Sequence, residues 1–107
     1  MIRKAFRMSV NPGRQAEYTR RHNPIWIELD DVLRRHGVHR YSIFLDADTD
    51  DLFAYVEIES DEQWAAIAAT EVCRQWWRSM RELMPSNPDD SPQAHDLHEI
   101  FHLSRTE

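Results

Sequence analysis

Two hydrophobic periods alternate along this chain, and their order constrains the fold more than any other feature. The segment from Ile2 to Val10 alternates apolar and polar side chains, which indicates a β-strand. Val38 to Asp46 and Leu52 to Glu59 are also strand-like, and the acidic stretch between them predicts a hairpin loop. A last strand is predicted from Leu97 to Leu103. Segments with helical spacing fill the two long gaps between these strands.

The first helical segment is predicted to begin at Asn11 as the N-cap, with Pro12 at the first helical position. Gly37 is predicted to stop it. Its apolar positions recur at helical spacing: Tyr18, Ile25, Trp26, Leu29, Val32 and Leu33. Pro24 lies inside this pattern, so we expect a kink or break near His22.

The second helical segment is predicted to open with a capping box of Ser60 and Gln63. Glu71 interrupts the apolar pattern, which then continues as a helical face: Val72, Cys73, Trp76, Trp77, Met80 and Leu83. The stretch from Met84 to Pro92 holds three prolines, which excludes regular structure there.

The predicted order is strand, helix, strand, strand, helix, strand. This is the ferredoxin-like βαββαβ arrangement, an α+β fold with an antiparallel sheet and helices on one face. With 107 residues and no linker or low-complexity segment, the chain is expected to form a single domain over residues 1–107.

The charge balance restricts the partners. The formal net charge is −6, which disfavours binding to nucleic acid and to anionic membranes. Arg3, Lys4 and Arg7 interrupt the first apolar run, so no signal peptide is expected, and no apolar stretch approaches the length of a membrane helix. A cytoplasmic location is the resulting expectation.

Two groups of side chains have spacings that could suggest a metal site. The first resembles an EF-hand loop: Asp46, Asp48, Asp50 and Glu57. Asp51 occupies the position where that loop needs glycine, so a solvated acidic hairpin is favoured. On a strand, His98 and His102 would lie roughly 13 Å apart, too far for one metal. No metal requirement is predicted.

Cofactor motifs and reactive thiols are also disfavoured. The two glycines, Gly13 and Gly37, form no phosphate-binding loop, so no nucleotide cofactor is expected. Cys73 is the single cysteine and lies on an apolar helical stripe, where a thiol usually acts as a small hydrophobic side chain.

The most informative cluster surrounds the predicted helix break. Tyr18 and His22 are four residues apart and therefore share one helical face, which continues into the apolar stripe. A histidine there is more often a core residue than a catalyst, but the adjacent break favours a functional role. Trp76 and Trp77 could form an aromatic platform with indole N–H donors, and Tyr41 could add another ring and a hydroxyl.

These residues together resemble the L-rhamnose mutarotase family over nearly the whole chain. The resemblance rests on four motifs in their order and spacing: Tyr18-x-x-x-His22 with Ile25-Trp26-Ile27-Glu28-Leu29, Tyr41-Ser42-Ile43, Trp76-Trp77, and Met84-Pro85-Ser86-Asn87-Pro88-Asp89-Asp90-Ser91-Pro92. It implies that His22 is the proton donor and that Tyr18, Tyr41, Trp76 and Trp77 contact the sugar. It also implies a homodimer of the dimeric α/β-barrel type, L-rhamnose as substrate and no cofactor.

Two positions depart from the family pattern. Ile27 stands where the family usually has proline, and Asp90 replaces the usual asparagine of the proline-rich loop. If that loop borders the sugar, Asp90 could change specificity or the response to pH.

The chemistry suits the residues independently, since mutarotation needs only proton transfer, and histidine gives and accepts protons near neutrality. Two alternatives stay open. One is a cofactor-free oxygenase or decarboxylating dehydratase, by analogy of fold alone. The other is a sugar-binding domain without catalytic activity.

Overall fold

A four-stranded antiparallel sheet forms the centre of the structure. The structure is a computed structural model, and it describes residues 1–105. The strands are β1 (Ile2–Ser9), β2 (Val38–Asp46), β3 (Asp51–Ile58) and β4 (His95–Leu97). Their order across the sheet is β2-β3-β1-β4, and every neighbouring pair is antiparallel. This topology confirms the predicted ferredoxin-like α+β fold.

Each of the two predicted helical segments is divided into two short helices. The first segment contains α1 (Gln15–Arg21) and α2 (Ile27–Arg35), and the second contains α3 (Asp61–Ile67) and α4 (Glu71–Met80). The first break includes Pro24, which follows a cis peptide bond, and it begins at His22 as predicted. No helix within the described part of the chain is long and apolar enough to cross a membrane.

The predicted start of the first helix is wrong. Asn11 is not the N-cap, because α1 begins only at Gln15 and Arg14 precedes it without a side-chain cap. Gly13 has a φ of +80°, which is incompatible with a helical residue at that position. Asn11 instead joins the end of the second helical segment, where its N–H donates to the Leu83 carbonyl oxygen at 2.7 Å.

The other predicted helix boundaries agree with the structure. The Ser60 hydroxyl oxygen accepts a hydrogen bond from the Gln63 N–H at 3.1 Å. The hydroxyl also donates to Gln63 Oε1 at 3.1 Å, so the Gln63 side chain bonds the serine side chain and not the serine backbone. Gly37 ends the first segment with a φ of +80°. The left-handed turn requires glycine there, and a Cβ atom would also lie 3.0 Å from Glu59 Cβ, so a side chain would be crowded as well as strained.

The core lies between the helices and one face of the sheet, here called the inner face. Met8 on β1 pairs with Leu52 on β3, and both are buried on this face together with Tyr18, Leu29 and other apolar side chains. Alternation along the strands therefore directs every second side chain toward the helices, as the pattern of the first strand predicts.

The opposite face of the sheet, here called the outer face, is covered by no helix of residues 1–105 and carries exposed apolar side chains. Phe44 and Phe53 lie directly opposite each other across β2 and β3, and Phe44 is 64% exposed. Leu97 on β4 is also exposed and pairs with Ala5.

The predicted last strand is displaced. The observed strand β4 ends at Leu97, whereas the sequence predicted a strand from Leu97 to Leu103. Beyond it, Arg3 on β1 holds the chain through its side chain, donating two hydrogen bonds to the Glu99 carboxylate at 2.9 and 3.0 Å. Ile100, Phe101 and Leu103 follow without regular structure and are strongly exposed.

Candidate functional site

A cavity of about 670 Å³ opens between the inner face of the sheet and the helices. Its volume lies in the range typical of small-molecule sites. The walls are mostly aliphatic and aromatic, with a few polar groups. All five residues proposed from the sequence line it: Tyr18, His22, Tyr41, Trp76 and Trp77.

The position of His22 follows from the helix break. His22 is the C-cap of α1, so its side chain stays on the inward face that Tyr18 occupies one turn earlier. Its ring lies 4.3 Å from the Tyr18 ring, with an interplanar angle of 30°. The Trp76 indole meets it nearly at right angles, with ring centroids 5.2 Å apart. The imidazole is therefore held between two aromatic side chains.

The preceding residue, Arg21, anchors this end of α1 to the end of α4. Its guanidinium donates to Glu17, to the Ser79 carbonyl oxygen and to the Glu82 carboxylate at 2.5 to 2.7 Å. Because His22 follows Arg21 directly and α4 carries Trp76, these bonds join the two helices that carry the imidazole and the indole.

The hydrogen bonding of His22 determines which ring nitrogen is available. Nδ1 lies 2.8 Å from the Tyr18 carbonyl oxygen, which can only accept, so Nδ1 carries the proton. No other described residue bonds to Nε2, which keeps its lone pair in the neutral ring. Burial lowers the pKa of His22 below its ordinary value, and the hydrogen bond to Tyr18 opposes this only in part. The neutral ring with a basic Nε2 is the resting form at neutral pH.

The two tyrosines are protonated hydrogen-bond donors. Burial is the main cause that raises the pKa of both Tyr18 and Tyr41, so neither ionises near neutrality. Within residues 1–105 no hydrogen bond reaches either hydroxyl, and both side chains line the cavity. Each hydroxyl is thus available to a ligand.

The aromatic wall is larger than the sequence analysis proposed. Trp76 packs against Trp26 as well as His22, while Trp77 borders the cavity on the same helix. Trp64 was missed: it lines the cavity from α3, and its ring lies 5.9 Å from that of Tyr41. Trp64 lies three residues before the buried Ile67, so both share one face of a short helix. This spacing could have predicted that Trp64 faces inward.

The proline-rich stretch forms another part of the cavity wall. It contributes Ser86, Asp90, Ser91 and Pro92 to the lining. Asp90, which departs from the family pattern, therefore borders the cavity, and its carboxylate accepts a hydrogen bond from Arg81 at 2.9 Å.

The other sequence candidates lie outside this constellation. Asp46 and Asp51 close the β2–β3 hairpin, and Asp50 accepts a hydrogen bond from Gln15. Among residues 1–105, no three metal-ligating side chains lie together, and the absence of a metal requirement stays a prediction. Cys73 borders the cavity as a buried thiol whose pKa burial raises to about 11, so it is protonated and unreactive.

Known proteins resemble this chain over nearly its whole length. The family model for L-rhamnose mutarotase matches residues 3–103. An L-rhamnose mutarotase of Opitutus terrae is 63% identical over 96% of this chain and 99% of its own length. The L-rhamnose mutarotase of Klebsiella pneumoniae is 60% identical over 97% of this chain and all of its own length.

Solved structures agree with the sequence comparison. The crystal structure of an L-rhamnose mutarotase from Formosa agariphila superposes with a TM-score of 0.89 at 38% identity, covering 97% of this chain and 100% of that chain. An antibiotic biosynthesis monooxygenase superposes with a TM-score of 0.63 at 12% identity, covering 94% of this chain and 99% of that chain. At that identity the second likeness concerns the fold alone.

Proposed function

The chain belongs to the L-rhamnose mutarotase family, and from this premise we propose that it interconverts the α and β anomers of L-rhamnose with His22 as the proton-transfer group. The reaction is an isomerisation: the cyclic hemiacetal opens to the aldehyde and recloses on either face of C1. One proton leaves the anomeric hydroxyl and one is added to the ring oxygen. The net composition and oxidation state do not change, so proton transfer is the only chemistry required.

The observation that carries the proposal is the hydrogen bond between His22 Nδ1 and the Tyr18 carbonyl oxygen at 2.8 Å. It assigns the proton of the neutral ring to Nδ1 and leaves Nε2 as the reacting nitrogen. In the opening step Nε2 takes the proton of the anomeric hydroxyl while the bond from C1 to the ring oxygen breaks. The imidazolium then gives a proton to the former ring oxygen, and in this half of the reaction His22 is the proton donor.

A single nitrogen is sufficient for both transfers because both oxygens are bonded to C1 in the cyclic sugar. Reclosure runs the same steps in reverse on either face of the aldehyde. Acid–base assistance of this type is typically worth about 10² to 10⁴-fold. No metal or cofactor is needed in this scheme.

We assign sugar binding to Tyr18, Tyr41, Trp76 and Trp77. The two hydroxyls and the indole N–H groups can donate to sugar oxygens, while the rings cover the apolar face of a pyranose. Support comes from their common placement on the cavity wall and from the absence of competing bonds to the tyrosine hydroxyls within the described residues.

We also propose that the protein is a homodimer whose outer sheet faces pack together. Phe44, Phe53 and Leu97 form an exposed apolar surface on that face, and the tail carries Ile100 and other exposed apolar side chains nearby in sequence. A second copy would remove this area from water. The cytoplasmic location and the lack of a nucleic-acid partner stay predictions from composition.

The test is magnetisation exchange between α- and β-L-rhamnose, measured by NMR with and without the enzyme. An exchange rate above the solvent rate that is proportional to enzyme concentration is expected. A protein that binds L-rhamnose but leaves exchange at the solvent rate would be a sugar-binding domain instead.

A further inference from the structure

We propose that Asp90 binds a hydroxyl group of the sugar, with Arg81 holding its carboxylate in position. This inference rests on the proposed mutarotase function and adds a residue to its substrate site. It follows from the structure of the proline-rich loop, from the bonds that the carboxylate makes, and from the balance of donors and acceptors on the cavity wall.

The loop that carries Asp90 is folded back on itself. Ser86 and Pro92 form a bridge, the Asn87 N–H donates to the Ser91 carbonyl oxygen at 2.7 Å, and the Asp90 N–H donates to the Asn87 carbonyl oxygen at 2.9 Å. These bonds give the loop a defined shape. Asp90 has a φ of +73°, a left-handed conformation that aspartate and asparagine tolerate better than most residues.

The Asp90 carboxylate is oriented but not saturated. Oδ1 accepts from Arg81 at 2.9 Å, whereas Arg78 Nε lies 3.8 Å from Oδ2, beyond hydrogen-bond distance. A carboxylate has about four acceptor sites, so most of its capacity is unused. The side chain is only 21% exposed and borders the cavity. A ligand hydroxyl in the cavity is a suitable donor for the free sites.

The neighbouring loop hydroxyls are weaker acceptors than this carboxylate. The Ser86 hydroxyl donates to the Met84 carbonyl oxygen, and the Ser91 hydroxyl donates to the Asp89 carboxylate. Their protons are therefore committed within the loop, and their neutral oxygens accept more weakly than a carboxylate does. The Ser91 oxygen also accepts already from Asn87 Nδ2 at 3.0 Å.

Apart from its carboxylates, the rest of the cavity wall offers neutral polar groups, among them the amide of Asn23. Indole N–H groups only donate, tyrosine hydroxyls donate and accept weakly, and His22 Nε2 is assigned to proton transfer in the proposed mechanism. A sugar hydroxyl both donates and accepts, so its binding is complete only where an acceptor also faces it. Asp96 also lines the cavity, but it is exposed and no ion pair with another residue in 1–105 orients it. Asp90 is the carboxylate that the protein holds in place.

The experiment compares the wild type with Asp90→Ala, Asp90→Asn and Arg81→Gln, using NMR exchange at several concentrations of L-rhamnose and of its 2-, 3- and 4-deoxy analogues. Asp90→Ala should raise KM about tenfold and change kcat less than threefold, since a hydrogen bond to a charged group is lost from the ground state and the transition state alike. Arg81→Gln should raise KM severalfold. Asp90→Asn keeps the left-handed backbone and the bond from Arg81, so it should fold normally and have an intermediate KM.

The deoxy analogues provide the decisive comparison. One analogue should be a poorer substrate for the wild type by about tenfold, and this penalty should disappear in Asp90→Ala. Arg35→Gln, which removes an exposed ion pair with Asp31 on α2, is the matched control and should leave KM unchanged. If folded Asp90→Ala keeps the wild-type KM, or if every deoxy penalty persists in it, the role of Asp90 is wrong. If the wild type itself does not accelerate exchange, the mutarotase proposal fails instead.

Discussion

His22 and Tyr18 are joined twice, by a 2.8 Å hydrogen bond from Nδ1 to the tyrosine carbonyl oxygen and by ring contact at 4.3 Å. The first contact fixes the tautomer, and the second restricts rotation of the imidazole. Together they orient Nε2, the nitrogen proposed to transfer the proton, without help from a carboxylate, since the Nδ1 partner is a backbone group.

Replacing His22 by glutamine should reduce anomer exchange by about 10² or more. Glutamine retains hydrogen-bonding groups but cannot exchange protons near pH 7. The measurement is NMR magnetisation exchange on L-rhamnose, corrected for the folded fraction determined by circular dichroism. His36→Gln is the matched control, because His36 makes the same bond from Nδ1 to the carbonyl oxygen four residues earlier, at the end of α2. Wild-type exchange by a folded His22→Gln would show that another group transfers the proton.

The pH dependence should report the lowered pKa of His22. The neutral ring is the base, so the rate should hold as pH falls to 6.5 and decline only below that ordinary value. The stability of the folded protein should also decrease at acid pH. The unfolded state binds the proton more readily, so the free energy of unfolding should fall as pH drops below 6.5. His22→Gln should lose this component in urea titrations. A rate that rises as the pH falls through 6.5, after subtraction of the solvent rate, would contradict a neutral base.

Tryptophan fluorescence should change when L-rhamnose fills the cavity. Trp76 and Trp77 both line it, so the double variant Trp76→Phe, Trp77→Phe should lose most of the change. Trp26→Phe is the control, because Trp26 packs against Trp76 without lining the cavity. A full signal in the double variant would assign the response to Trp64 and remove the main support for a Trp76–Trp77 platform.

The outer face should mediate dimerisation. Phe44→Asp should shift the protein toward monomer in sedimentation velocity at micromolar concentration, because burial of a charge in an apolar interface is costly. Ile27→Asp is the matched control, since Ile27 is 78% exposed and lies on α2, on the helical side of the sheet. A wild type that sediments only as a monomer would refute the dimer. A wild-type dimer that Phe44→Asp leaves intact would place the interface elsewhere.

The sequence predicts the sheet and the helix break because each has a local cause. Alternation in the strands reflects burial on one face, and Pro24 cannot continue a helix from the preceding turn. The wrong N-cap at Asn11 arose because an Asn-Pro pair suits both a helix start and a turn, and Gly13 favours the turn. The last strand, His95–Leu97, pairs with β1 from Ala5 to Arg7, and the ion pair beyond it joins Arg3 to Glu99, 96 residues away. No local pattern contains such a contact.

In the candidate site too, features with a local cause are predictable from the sequence, and features that depend on tertiary contacts are not. Tyr18 and His22 are detectable because they share a helical face, but their meeting with Trp76 depends on how α1 docks on α4. Trp64 and Asp90 reach the cavity only through the tertiary arrangement of a short helix and an irregular loop.

Under the proposed mechanism, the fixed imidazole of His22 also determines which partner must move during turnover. A ring bonded at Nδ1 and packed against Tyr18 and Trp76 cannot swing between the two faces of the aldehyde. Exchange of the anomers then requires the open-chain substrate to turn about its own C1–C2 bond before it recloses. The cavity must therefore bind the distal carbons of the sugar and leave C1 free to rotate. A closer fit around C1 would strengthen binding and slow the reaction.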